Sequence, residues 1–232
     1  MDGKAFFAMT SGLYVVSAQA DGLRAGCVIN TAVQVTSRPA RISVAVNKDN
    51  VTAGVIAQAG AFALTVLDQT ADMAFIGDFG FKSSASFDKF AAHDTQQTAL
   101  GMPYTPEHAA AVFSCRVVDT VDAGTHWLFV GQVEDAGLLG DAKPLTYDYY
   151  HKVLRGKTPP KASSYTDEDP AGEQAATAGA APVSASATDA PQTYTFVCTV
   201  CAYRVEVDTP ELPPDFKCPI CGVGPDKFER VS

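Results

Sequence analysis

Short, β-prone apolar runs separated by turn clusters dominate the first 160 residues of the chain. Residues 13–18 (LYVVSA) read as a strand, and Asp21-Gly22 is a strong hairpin turn. Residues 24–36 alternate in the manner of one long or bent strand, and after Pro39 residues 41–46 (RISVAV) form another. Asn47-Lys48-Asp49-Asn50 is a cap-and-turn cluster that predicts a short helix over 51–59. A strand over 61–67, a helix over 69–79 and a polar loop over 80–89 follow. Residues 111–118 and 125–133 read as paired strands, the second rich in aromatic and β-branched side chains. With no strand–helix alternation, this pattern predicts a mainly β (α+β) domain, a barrel with helical excursions closed by Tyr147-Asp148-Tyr149-Tyr150-His151.

The pattern stops near residue 162. Residues 163–191 turn to Ala, Ser, Thr, Pro, Gly and acid, and large apolar residues almost vanish, so burial cannot offset ordering entropy. This stretch reads as a flexible linker between a domain over 1–162 and a small one over 192–232. Thirty such residues span roughly 30 Å root-mean-square, enough for a tethered unit to swing between two docking sites.

The small unit carries Cys198-Thr199-Val200-Cys201 and Cys218-Pro219-Ile220-Cys221. Two thiolates spaced by two residues reach one metal from a single tight turn. Two such turns facing each other make a closed S4 site that suits zinc or iron. Spacing alone reads as a zinc ribbon. Forty residues hold too little core to fold unaided, so the metal is part of their stability. The flanking aromatics Phe196, Tyr203, Phe216 and Phe228 change the reading. With the stretch Leu212-Pro213-Pro214-Asp215-Phe216-Lys217-Cys218-Pro219 they resemble rubredoxin, whose aromatic cluster packs on one Fe(Cys)4 centre. That resemblance covers nearly all of 194–230 and implies iron on Cys198, Cys201, Cys218 and Cys221. Three features depart from it: a shorter segment between the knuckles, Phe216 for the usual Trp, and Ala202 where the first knuckle normally has Gly. Gly222 is kept, with φ > 0 expected so that its N–H points at a thiolate; Ala in that conformation costs about 1–2 kcal/mol.

In the large domain no Gly-x-Gly-x-x-Gly follows a strand, so a Rossmann site is unsupported, and no Walker loop or nucleophile–His pair appears. Residues 47–52 place amides, a hydroxyl and a cation at a helix N-terminus, which favours an anion. Residues 30–36 combine polar and small side chains that let a flat ligand approach the backbone; a capped strand end is the plain alternative. Together with Gly12 through Val16, Gly26, Pro39, Phe79-Gly80-Phe81, Asp88-Lys89-Phe90, residues 126–131 (HWLFVG), Pro144 through Tyr147 and Gly156-Lys157, these segments resemble the flavin reductase-like family over residues 5–165. The resemblance implies an FMN-binding split β-barrel with FMN at a homodimer interface. Asn30, Thr31, Ala32, Val33, Gln34 and Thr36 would contact the isoalloxazine. Asn47, Lys48, Asn50 and Thr52 would hold the phosphate, helped by Ser83, Ser84 and Lys89. In this family the nicotinamide of NAD(P)H stacks on the flavin, and His126 is the catalytic candidate for touching it or the flavin edge. Hydride transfer needs stacking geometry, so no acid–base residue is named.

The net charge of −9 argues against nucleic acid. Residues 163–191 hold five acidic and no basic side chains, over half of the excess. No run of about eighteen apolar residues predicts a membrane span, and Met1 through Phe6 lacks the pattern of a signal peptide, so a cytoplasmic protein is expected. Cys27 and Cys115 read as buried free thiols. A flavin domain joined to a rubredoxin resembles the high-molecular-weight rubredoxin architecture. That implies electrons passing from NAD(P)H through FMN, which accepts two and releases them singly, to iron and on to a flavodiiron protein that reduces oxygen or nitric oxide. A free-flavin or ferric reductase with a structural zinc tail, and a flavin-binding redox sensor without turnover, stay open beside it.

Overall fold

The structure, a computed structural model, describes residues 5, 8–156, 193–201 and 203–231. The linker expected over 163–191, the boundaries expected at 162 and 192, and Ala202 lie outside the described residues.

β1 (Tyr14–Ala20) and β2 (Leu23–Ile29) form the hairpin anticipated at Asp21-Gly22. Asp21 and Gly22 take φ of 48° and 80°, the double left-handed pair that a two-residue turn of this hand requires. The run read as one strand over 24–36 is instead two. It breaks at Asn30-Thr31, and β3 (Ala32–Ser37) pairs with β4 (Ala40–Asn47). The sheet gives the reason. With β5 (Ala61–Leu67), β8 (Ala109–Asp122) and β9 (His126–Leu138), the strand order is β2-β1-β5-β8-β9-β4-β3. β2 and β3 are thus its opposite edges, and only two residues join them. The three Cα–Cα steps from Ile29 to Ala32 reach at most about 10 Å, so the sheet is rolled until its edges nearly meet. Thr31 ties the join to β4: its carbonyl accepts from Ala45 N (3.2 Å) and its hydroxyl donates to the Ala45 carbonyl (3.0 Å). The barrel is mainly β and split between β2 and β3.

Inside the roll, Val16, Cys27, Val44, Val46, Phe62, Leu64 and Phe129 form one apolar core. Each large side chain fully buried there contributes about 1.5–3 kcal/mol. α1 (Val51–Ala59) packs Thr52, Ala53, Val55 and Ile56 inward. Asn50 caps it by accepting from Thr52 N, and Gly60 ends it at φ 64°.

The helix expected from residue 69 starts later, as α2 (Met73–Gly80). Asp68 takes the Thr70 N–H into a local turn (2.8 Å), and Asp72 then caps the helix through Phe75 N (2.8 Å). α3 (Lys89–Ala92) leads to the short pair β6 (Gln96–Gln97) and β7 (Pro103–Tyr104). α4 (Tyr147–Lys152) is capped by Thr146. Phe75, Ile76 and Phe79 of α2, Phe90, Leu145 and Tyr150 pack with Leu13, Val15 and Leu67 in a second core on the outside of the barrel. Among the described residues no helix is long and apolar enough to cross a membrane.

The C-terminal unit is a three-stranded sheet, β11 (Arg204–Val207), β10 (Tyr194–Cys198) and β12 (Phe228–Arg230) in that order, with a 3-10 turn over Pro225–Lys227. Phe216 and Phe228 meet edge to face, centroids 5.3 Å apart.

Gly131 on β9 sits at a close approach within the barrel wall: a Cβ there would lie 2.6 Å from the Phe62 ring and 2.8 Å from Cys115 Cβ. Gly131→Ala is expected to cost about 1–3 kcal/mol by overpacking. Thermal unfolding should show a drop of several degrees, whereas Gly137→Ala, with open space around it, leaves the midpoint in place.

Candidate flavin pocket and metal centre

A pocket of about 510 Å³ opens beside Asn30-Thr31, the link between the two edge strands, within the range for cofactor sites. Its polar lining comes from Asn30 and Thr31 at the edge-to-edge join, Asn47 at the end of β4, Asn50 at the cap of α1, and Ser83. Phe81, Tyr147 and Tyr150 supply aromatic surface and Lys82 a cation. The Asn47 side chain accepts from Asp49 N (2.9 Å), so the turn into α1 is held from both ends by carboxamides. A nine-residue helix thus presents its N-terminal turn to the cavity, an electropositive end suited to a phosphate. His126 faces Asn47 across the β4–β9 ladder and lines the same cavity. Partial burial holds its pKa below the usual histidine value, so the ring is neutral at pH 7. A planar ring system with an anionic tail fits this donor set.

Several expected contacts lie elsewhere. Lys48 is paired with Asp122 (2.5 Å) and sits 4.4 Å from the Trp127 ring centroid. Thr52 is fully buried on the inner face of α1. Ala32, Val33, Gln34 and Thr36 run along the edge strand β3, outside the cavity, with Val33 59% exposed. Ser84 is buried beside Gly26, whose N–H it accepts (3.2 Å). Lys89, expected as a phosphate helper, is an interior cross-tie: its amine donates to the carbonyls of Gly26 (2.7 Å) and Phe79 (2.9 Å). Two carbonyls at a helix end and a strand need a donor, and that requirement places the lysine. Cys27 and Cys115 are both free and buried, and Cys27 lines the pocket floor. Phe81, Lys82 and the two tyrosines were not anticipated as site residues. The Phe79-Gly80-Phe81 motif and the tyrosine cluster were the available signals.

In the C-terminal unit the four cysteines converge, their sulfurs all within 4.8 Å of one another. Cys198–Cys221 and Cys201–Cys218 Sγ distances are 3.6 and 3.4 Å. A tetrahedral S4 site with metal–sulfur bonds of about 2.3 Å has edges of about 3.8 Å, so a single metal fits with little adjustment. Gly222 has the expected left-handed φ (76°), but its N–H donates to the Cys218 carbonyl (2.8 Å) rather than to a thiolate. The amides of Ile220 and Cys221 serve Cys218, that of Val223 serves Cys221 and that of Tyr203 serves Cys201. Such outer contacts orient the ligands and tune the metal.

Residues 6–155 match the flavin reductase like domain family, and residues 196–229 match the rubrerythrin, rubredoxin-like domain family. A high molecular weight rubredoxin of Moorella thermoacetica is 38% identical over 244 aligned positions that cover all of both chains. This chain belongs to the high-molecular-weight rubredoxin family. A ferric-chelate reductase (NAD(P)H) of Archaeoglobus fulgidus is 42% identical over 165 residues, 71% of this chain and 98% of that one. The NADH:FAD oxidoreductase of Streptomyces globisporus, at 22% identity, shares the fold with a TM-score of 0.56 over 62% of this chain and 84% of that one. The family makes the chain an oxidoreductase whose cofactors are a flavin, FMN in this family, and one iron on the four thiolates, with NAD(P)H as co-substrate.

Burial pushes the Lys89 pKa down to about 8. A lysine whose folded value is below its unfolded value binds fewer protons when folded, so stability rises with pH between about 8 and 10.5. The gain amounts to about 3 kcal/mol across that window. The buried Cys27 and Cys115 thiols, which burial pushes up, oppose this rise above about pH 9, so the Lys89 contribution is read as the difference between wild type and Lys89→Met in unfolding midpoints measured against pH. The variant series should lack that component of the slope.

Proposed function

We propose that the protein passes electrons from NAD(P)H through FMN to the Fe(Cys)4 centre and on to a protein acceptor. The observation that carries this reading is the presence in one chain of a polar-ended, aromatic-lined pocket and a closed four-thiolate cage. When bound, FMN accepts a hydride and gives up its two electrons singly, which is what a one-electron iron centre requires.

The residues take these roles. Asn47 and Asn50, at the start of α1, hold the phosphate end, and Ser83 serves it from the facing loop. Asn30 and Thr31 orient the ring at the join of the sheet edges, with Tyr147 and Tyr150 excluding water. His126, neutral and lining the cavity, contacts the nicotinamide or the flavin edge. Lys48 and Thr52 act from behind, the first through the Asp122 pair at the end of β8 and the second by fixing α1 against the barrel. The edge strand β3 exposes Val33 and Val35, and we assign this strand, with Ala32, Gln34 and Thr36, to a homodimer contact that completes the flavin site from the partner subunit. The acceptor is a flavodiiron protein, by resemblance of the whole architecture. Residues 163–191, from their composition, act as the tether that lets the iron unit reach that acceptor.

A second reading has a specific observation behind it. Nearly all (98%) of the 42% identical ferric-chelate reductase aligns to 71% of this chain, about the share that the barrel domain takes, so the barrel alone is a template for reducing a small ferric substrate, with the tail as a zinc-bound accessory. Metal analysis with anaerobic NADH addition separates the two. Stoichiometric iron, with flavin and Fe(III)–thiolate bands both bleaching, is the expected result. Natively bound zinc with flavin bands alone would replace the first reading with the second.

A further inference from the structure

We infer that the outward face of α2 is the docking seat of the iron-binding knuckle, and that Phe81 is the wall shared by the two cofactor sites. This rests on the electron-transfer reading above and adds where the crossing takes place.

Positions 75 and 79 of α2 carry Phe on one face and are buried in the outer core of the barrel. Positions 77 and 81, four apart, lie together on the opposite face. At 77 the residue is Gly, which costs an ordinary helix about 0.5–1 kcal/mol relative to Ala. The nearest atoms to position 77 come from the C-terminal unit. A Cβ on Gly77 would lie 2.5 Å from Ile220 Cγ2 and 3.1 Å from the Ile220 carbonyl oxygen. Ile220 sits inside the second knuckle, next to Cys221, and is itself only 9% exposed. It belongs to the same apolar cluster as Cys198, Cys201 and Cys218, and Phe81 packs against that cluster.

Phe81 also lines the flavin pocket, as do Ile76 and Gly80 from the same helix. One helical turn therefore borders the pocket on one side and the thiolate cage on the other, with a glycine where a side chain would hold the knuckle off. The redox stoichiometry is simple. A hydride from NAD(P)H would bring two electrons and one proton to the flavin. Each crossing of the seat would reduce one ferric iron to ferrous, two crossings would return the flavin to its oxidised form with release of that proton to solvent, and the acceptor would empty the iron between them.

The test is Gly77→Ala in the full-length holoprotein, paired with Gly77→Ala/Ile220→Ala, with flavin and iron content checked in both. Ala raises helix propensity at 77 and Gly77 lies outside the pocket lining, so reduction of the flavin by NADH should stay at the wild-type rate. Reduction of iron by the flavin should slow by roughly tenfold or more. Removing the Ile220 methyls should restore most of that rate in the double variant. Amide hydrogen exchange supplies a readout that needs no electron transfer: the segment over 73–81 should lose protection in Gly77→Ala and regain it in the double variant. Loss of protection cannot come from the substitution's own effect on the helix, which runs the other way. Wild-type iron reduction and wild-type protection in Gly77→Ala would overturn the docking seat. A wild-type chain whose iron never reduces, yet whose exchange pattern responds as described, would overturn the electron-transfer reading while leaving the seat in place.

Discussion

Two residues set the geometry on which the rest depends. Asn30 and Thr31 must carry the chain from one edge of a seven-stranded sheet to the other, and so short a link exists only if the sheet is rolled. Rolling brings the end of β2, the end of β4 and the start of α1 to one place. It leaves the two edges unpaired to each other, and the pocket opens beside their join, lined by β2 and the end of β4 rather than by β3. The residues that bridge the edges are then among those that line the pocket. The same closure buries Phe62 against Gly131 and Cys115 on the far wall, so barrel stability and pocket shape are one property rather than two.

The C-terminal unit solves a different problem. Three short strands and a few aromatic contacts bury little area, and the cage of four sulfurs forms much of what core there is. A metal that holds the four thiolates together is at once the fold's cross-link and its chemistry. The backbone amides aimed at Cys201, Cys218 and Cys221 stabilise negative charge on the ligands. The same groups that orient the knuckles therefore also bias the iron between its two charge states.

What could be read from the sequence divides along physical lines. The four cysteines, Asp21-Gly22 and the Asn50 cap were legible because their chemistry is local: spacing, φ > 0 and a side-chain acceptor specify them without knowledge of neighbours. The break at Asn30 was not legible, since residues 24–36 alternate continuously and only the strand order shows that the two halves serve opposite edges. Lys89 looked like a phosphate ligand for a similar reason. A cation after a loop can face a cavity or tie down carbonyls, and the choice is made by Gly26 and Phe79, distant in sequence. Gly77 carried no signal of its own. A glycine in a short helix reads as a weakness until Ile220 is seen against it.

On the proposed reading, the two cofactors of this chain form one relay. Anaerobic single-turnover mixing with NADH, following flavin and iron absorbance at several protein concentrations, tests it most directly. The flavin should be reduced first and the iron should follow at a rate that does not change with protein concentration, because donor and acceptor belong to one assembly. An iron reduction rate proportional to protein concentration, or iron that stays ferric while the flavin is fully reduced, would contradict it.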